Sequence, residues 1–213
     1  MIFVSISNTS IEKCIELIEK YKNVELRLDL IKPDIDDIGL LLSKSETSIC
    51  AYITENDSKT SLNYILKAIE FGADVVDFGL NMHSEDISHA VSHAKNHESK
   101  IMLSYHNFEL TPEKEFLEGL INEAETYSPD MIKIACLCKN DHDNEKLLSL
   151  MKINDRTIPV PMGDMGKKGR LKAYFYGSPI VYAYPDEDEP TAPGQLPFSD
   201  YQDMDKIISI IYR

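Results

Sequence analysis

Lys133 lies alone in an apolar strand pattern, Asp130-Met131-Ile132-Lys133-Ile134-Ala135-Cys136-Leu137. An ammonium in the middle of a buried strand is costly unless it is paired or sheds its proton. Burial favours the uncharged amine, which is the form that attacks a carbonyl carbon. The strand alone fits two readings equally well, an interior lysine tied to a carboxylate and an amine nucleophile. A second pattern, Leu103-Ser104-Tyr105-His106-Asn107-Phe108, ends with a histidine, a side chain suited to proton transfer near neutral pH. A third, Val24-Glu25-Leu26-Arg27-Leu28-Asp29, alternates so that Glu25, Arg27 and Asp29 share one face. Three charges inside a fold must pair with one another or serve a ligand.

Further along, a glycine-rich run, Pro161-Met162-Gly163-Asp164-Met165-Gly166, leads to Arg170. It lacks the spacing of a Walker loop, but Arg170 offers a fork for a carboxylate. The turn Thr191-Ala192-Pro193-Gly194-Gln195 supplies a hydroxyl and an amide, and the acidic run Asp186–Glu189 before it is expected to be solvated and mobile. His89, His93 and His97 repeat at helical spacing and share one face. Adjacent members could chelate zinc, but Ile87, Ala90, Val91 and Ala94 bury the other face and turn the histidines to solvent. No metal site is expected.

The 213 residues carry a net charge of −14 and no Lys/Arg-rich block, which argues against nucleic acid and anionic membrane as partners. The charged fraction of 27% beside 43% hydrophobic residues fits a globular chain with one sizeable core. No apolar stretch approaches the roughly 20 residues of a membrane span, and no secretory signal pattern opens the chain. Four cysteines outside any disulfide framework fit reduced thiols, and the expected location is cytoplasmic.

These residues are positioned by a regular alternation. Strand patterns cover Ile2–Ile6, Val24–Asp29, Ser48–Ile53, Val75–Gly79, Lys100–Tyr105, Met131–Cys136, Ile158–Pro161 and Pro179–Tyr184. Helical patterns follow each in turn, at Ser10–Tyr21, Asp34–Ser43, Ser61–Phe71, Glu85–His97, Pro112–Tyr127, Asp143–Ile153, Lys167–Phe175 and Asp200–Tyr212, with start signals such as Thr111-Pro112 and Ser199-Asp200. Eight such units predict an α/β fold, a compact (β/α)8 TIM barrel in which residues 1–213 form a single domain. An open doubly wound sheet is disfavoured because no G-x-G-x-x-G follows the first strand. In a barrel, chemistry gathers at the carboxyl ends of the strands. That rule selects Ser5, Glu25, Arg27, Asp29, Thr54, Glu55, Asp77, His106, Lys133, Met162, Arg170 and Gln195.

Taken in order, these segments resemble type I 3-dehydroquinate dehydratase, a Schiff-base lyase of the shikimate pathway of aromatic amino acid biosynthesis. The resemblance rests on Glu25-x-Arg27-x-Asp29, Ser104-x-His106-x-Phe108 before Thr111-Pro112, Lys133-Ile134-Ala135, the Met162/Gly166/Arg170 segment and Ala192-Pro193-Gly194-Gln195. It implies that Lys133 forms an imine with 3-dehydroquinate and that His106 is the general acid/base. Arg170 then holds the substrate carboxylate, and Ser5, Glu25, Arg27, Thr191 and Gln195 contact the substrate. It further implies no cofactor, a small-molecule substrate as partner, and a homodimer.

Two places depart from the family pattern. Thr54-Glu55-Asn56-Asp57-Ser58-Lys59 is shorter than the family's arginine and Glu-Gly-Gly loop, so Glu55 is at most a partial support for the histidine, and Gly79 stands where the family commonly has glutamate. A working but slow enzyme with weakened substrate binding is therefore expected. The competing readings are a Schiff-base lyase or aldolase-type barrel acting on another small keto acid, and a non-catalytic barrel that binds a ligand.

Overall fold

The computed structural model describes residues 1–53 and 58–211. Its strands are β1 (Ile2–Ile6), β2 (Asn23–Arg27), β3 (Thr47–Tyr52), β4 (Val75–Gly79), β5 (Lys100–Asn107), β6 (Met131–Leu137), β7 (Thr157–Met162), β8 (Val181–Tyr184) and the two-residue β9 (Leu196–Pro197). The helices between and after them are α1 (Ile11–Lys20), α2 (Leu28–Ile31), α3 (Ile35–Lys44), α4 (Ser58–Glu70), α5 (Ser84–Lys95), α6 (Lys114–Glu125), α7 (Asp141–Ser149), α8 (Gly166–Phe175) and α9 (Phe198–Ile211). The strands pair in parallel in the order β7-β6-β5-β4-β3-β2-β1-β8-β9. Eight strands curl into the (β/α)8 barrel that the alternation predicts. Among the described residues no helix is long and apolar enough to cross a membrane.

Strand alternation sorts the side chains into two cores. In β6, Ile132, Ile134 and Cys136 point outward and pack under the helices, while Met131 and Ala135 join Phe3, Ile49, Val75, Met102, Ile158 and Tyr182 inside the barrel. Lys133 shares the inward set. Helices α1 and α7 begin where sequence chemistry places a cap: Ser10 accepts from the Lys13 N–H at 3.3 Å and Asn140 from the Asp143 N–H at 3.0 Å. All four cysteines are free and buried, and burial pushes the Cys136 thiol up to about 12.

The ring of ladders has one gap. Among the described residues β7 and β8 do not pair, and the second edge of β8 takes β9 instead. The cause can be read in β7. Its even-numbered residues face β6, since Arg156 and Met162 accept from Ile132 and Cys138. The odd positions face the gap, and two of them are Pro159 and Pro161, which have no N–H to donate. Above the gap the Gly163 N–H donates to the Pro193 carbonyl at 2.9 Å. Gly194, at φ +79°, lies so close that a Cβ there would collide with the Gly163 carbonyl.

Several expectations are corrected. Strand β2 stops at Arg27, and Asp29 sits on the single turn α2, so the shared-face argument does not place it. Thr111 does not cap a helix: α6 starts at Lys114, and the Thr111 hydroxyl donates to the Leu137 carbonyl. Helix α9 starts at Phe198, and its Ser199 N–H is capped by Asp186 at 2.8 Å. The acidic run is thus partly pinned, because Glu187 also binds Lys20 at 2.7 Å and the Tyr21 hydroxyl at 3.0 Å. His93 is half-buried rather than solvent-facing, with Nε2 3.7 Å from Glu70 Oε1.

Candidate active site

A cavity of about 230 Å³ opens at the carboxyl ends of the strands. Ser5, Glu25, Arg27, His106, Lys133, Arg170, Thr191 and Gln195 all line it, together with Leu30, Ile53, Phe108, Ala135, Val160, Met162, Tyr182, Ala192 and Pro193. Every substrate-binding and catalytic position expected from the sequence therefore meets at one place. Thr54 and Glu55 lie outside the described residues.

Lys133 is 3% exposed and forms an ion pair with Asp77, which is fully buried. Glu25 Oε1 stands 3.8 Å from Lys133 Nζ, and the Tyr182 ring lies 5.1 Å beneath it. Two carboxylates and an aromatic face thus offset the desolvation of one ammonium. Burial, then the charges of Glu25 and Asp77, push the Tyr182 phenol well above its ordinary value, so it stays protonated, and its hydroxyl donates to Met102 Sδ at 3.4 Å.

His106 sits near the end of β5, which runs two residues further than the sequence pattern suggests. Burial pushes its pKa well below 6.5, and the cations Lys133 and Arg27 push it further. The imidazole is therefore neutral at pH 7 and able to accept a proton. Its ring stacks on Phe108 with 6.0 Å between centroids. Gly79, one strand over, leaves room that the Asn81 side chain occupies; Gly79, Asn81 and His106 line a small side pocket of about 80 Å³.

The two arginines differ in their partners. Arg27 holds Asp29 through Nε at 3.0 Å and Nη2 at 2.8 Å, a bidentate pair. Burial acts to lower its pKa, but Asp29, Glu25 and Asp77 outweigh it and the net shift is upward. Arg170 is 4% exposed, and its Nε has no hydrogen-bond partner. Burial lowers its pKa, against smaller opposing contributions led by Tyr201 and Glu25. A buried guanidinium left short of acceptors beside a cavity is an anion site in waiting. Gln195 donates to Ser5 Oγ and to the Ala183 carbonyl, both at 2.9 Å. Its Oε1 accepts the Thr191 N–H and hydroxyl at 3.0 and 2.7 Å, which locks the turn.

Two participants escaped assignment from sequence. Asp77 was selected by position but not linked to Lys133; a lone acid in Val75-Val76-Asp77-Phe78 is the mirror image of the lone lysine in β6. Tyr182 is not among the residues the strand-end rule selects, although Val181-Tyr182-Ala183 alternates and so turns it inward. Among the described residues no group of three or more His, Cys, Asp or Glu is arranged to hold an ion.

The site combines a lysine amine, a neutral imidazole and an under-partnered arginine around one small cavity. That set suits a keto acid whose carbonyl meets Lys133 and whose carboxylate meets Arg170. Comparison with known proteins points the same way. The family model described as type I 3-dehydroquinase matches residues 2–212. A 3-dehydroquinate dehydratase of Hydrogenobaculum sp. (strain Y04AAS1) is 31% identical over 192 residues, covering 85% of this chain and 87% of that one. One from Methanocaldococcus jannaschii is 27% identical over 221 residues, covering 99% and 100%. Among solved structures, the 3-dehydroquinate dehydratase of Geobacillus kaustophilus HTA426 superposes with a TM-score of 0.86 at 22% identity, covering 100% of this chain and 92% of the other. The type I enzyme of Clostridium difficile, solved with covalently modified comenic acid, gives 0.85 at 23% identity, covering 97% and 91%. This chain belongs to the type I 3-dehydroquinase family.

Proposed function

We propose that the protein is a lyase that dehydrates 3-dehydroquinate to 3-dehydroshikimate, with Lys133 as imine-forming nucleophile and His106 as acid/base. One observation carries the assignment of roles: Lys133, His106 and Arg170 line the same cavity, and burial holds the His106 imidazole neutral there. Lys133 attacks the C3 ketone, and the resulting protonated imine acidifies the neighbouring C2–H. His106, held neutral by burial, removes that proton and then protonates the C1 hydroxyl as it leaves. The imine is the electron sink, so the chemistry calls for neither metal nor cofactor. Hydrolysis of the imine frees the product.

Arg170 takes the substrate carboxylate in this reading, while Gln195, Ser5 and Thr191 meet the hydroxyl-bearing face. Loss of a charge-assisted contact costs about 1.5–3 kcal/mol. Arg170→Met is therefore expected to raise KM by about 10- to 150-fold with a smaller change in kcat. Steady-state kinetics check this, and an unchanged KM would move the carboxylate elsewhere.

The direct test is to incubate the protein with 3-dehydroquinate and follow the conjugated enone of the product in the ultraviolet, with sodium borohydride trapping in parallel. Borohydride labelling by a different keto acid without enone formation would favour the other-substrate reading. Absence of both would leave a non-catalytic barrel. The rate is expected to fall below that of a relative with the full family pattern, since Gly79 stands where the family commonly has glutamate and the segment after β3 is shorter in sequence than the family's. A homodimer, readable as twice the chain mass by light scattering, and a cytoplasmic location complete the proposal.

A further inference from the structure

We infer that Asp77 is the proton acceptor that frees Lys133 for attack, and that it returns this proton to the departing hydroxyl as the imine forms. The inference rests on the Schiff-base reading above and deepens it. Lys133 must lose a proton before its nitrogen carries a lone pair, and the group in contact with that nitrogen is Asp77. The neighbours are each engaged or unsuited. Glu25 stands farther off at 3.8 Å, and the bidentate bond to Arg27 occupies the Asp29 carboxylate. The Tyr182 hydroxyl keeps its own proton and donates it to Met102. His106 has to remain neutral to take the substrate's C2 proton, so a separate acceptor for the lysine proton leaves it free for that step.

Asp77 also makes few hydrogen bonds. It is fully buried, and its Oδ1 has no hydrogen-bond partner. A carboxylate in an N-cap or a salt-bridge network is held ionised by several donors; among the described residues Lys133 is the one donor in hydrogen-bond contact with Asp77. At so buried a contact, passing the proton across converts an ion pair into two neutral groups and removes the desolvation cost of both charges.

The steps balance. An Nζ–H bond breaks and an Asp77 O–H bond forms, leaving a neutral amine. The amine adds to the ketone carbon, the carbonyl pair moves to oxygen, and a second Nζ proton converts that oxygen to a hydroxyl. The Asp77 carboxyl then protonates the hydroxyl, the C–O bond breaks to release water, and the nitrogen lone pair closes the C=N bond. The cationic imine that results faces the regenerated Asp77 carboxylate, so the site ends with the charges it began with.

Asp77→Asn keeps the shape and removes the acceptor. The experiment measures single-turnover imine formation with 3-dehydroquinate, quenched by borohydride and read as labelled Lys133 by mass spectrometry. Wild type, Asp77→Asn, Asp77→Glu and Lys133→Ala are run side by side, with Asp77→Ser as a second neutral variant should the asparagine fold poorly. The expected result is imine formation slowed about 100-fold in the neutral variants, partly recovered as pH rises, and restored to within about tenfold of wild type by Asp77→Glu. A mere counter-ion predicts the opposite sign, because a neutral partner holds the ammonium less firmly and liberates more amine. Imine formation in Asp77→Asn as fast as wild type, or faster, overturns the inference, and so does equal slowing in the asparagine and glutamate variants at every pH. Failure of wild type itself to label would instead bring down the Schiff-base reading.

Discussion

Lys133→Ala is expected to abolish turnover of 3-dehydroquinate and borohydride labelling together, with a loss of at least about 10⁴-fold in kcat. The size follows from the route. Without the amine no cationic imine forms, the C2–H keeps the acidity of an ordinary ketone, and only positioning and acid/base assistance remain. The substitution also leaves Asp77 as a buried carboxylate without its partner, a defect worth about 3–5 kcal/mol in comparable cases. Circular dichroism of the variant must therefore accompany the kinetics. The double variant Lys133→Ala/Asp77→Asn, which removes both charges, is expected to regain most of the lost thermal stability while staying inactive. Residual dehydration by the folded single variant near the wild-type rate would rule out the imine route.

His106→Gln is expected to lower kcat by about 10²- to 10⁴-fold while the imine still forms. Because the block falls after the covalent step, borohydride should trap as much labelled Lys133 as in wild type, or more. This separates His106 from Lys133, whose loss removes the label. The pH dependence carries a further signature. Burial, Lys133 and Arg27 hold the imidazole pKa well below 6.5, so the neutral base persists as pH falls past that value. The acid limb of wild-type activity should therefore appear only as pH drops through the lowered pKa, and should vanish in His106→Gln. An acid limb centred at or above pH 6.5 would contradict this environment for His106. The same shift bears on stability with the same sign: below pH 6.5 the unfolded chain takes up a proton that the folded one refuses, so folding weakens as pH falls.

The barrel was legible because its signal is repeated. Eight strand patterns each alternate with a helical one, and single misplaced ends do not change the count. The site was legible where a residue violated its surroundings: Lys133 in an apolar strand, His106 at a strand end, Arg27 and Glu25 between leucine and valine. What could not be read was the pairing. Asp77 on β4 reaches Lys133 on β6 across the barrel interior, although β5 lies between them in the sheet, and nothing in either strand names the other. Local rules failed for a related reason at the edges. The acidic run before Pro190 reads as solvated charge, yet Asp186 meets α9 and Glu187 meets Lys20 and Tyr21, which lie 167 and 166 residues away in the chain. Thr111 reads as a helix start, yet its hydroxyl is claimed by Leu137 on a neighbouring strand end.

The unpaired edge between β7 and β8 has a consequence for how the molecule holds itself together. Arg170 follows β7, whereas Thr191 and Gln195 follow β8, so the two groups of ligand contacts stand on opposite banks of that edge. Backbone bonding across it is sparse because Pro159 and Pro161 face it, and the Gly163–Pro193 bond spans it above. A molecule gripped from both banks acts as a rung that the peptide ladder lacks. Occupancy should then clamp the cylinder along its weakest line, and amide hydrogen exchange in β8 and in the turn around Gly194 should slow on binding more than exchange in the continuously laddered β2 to β5.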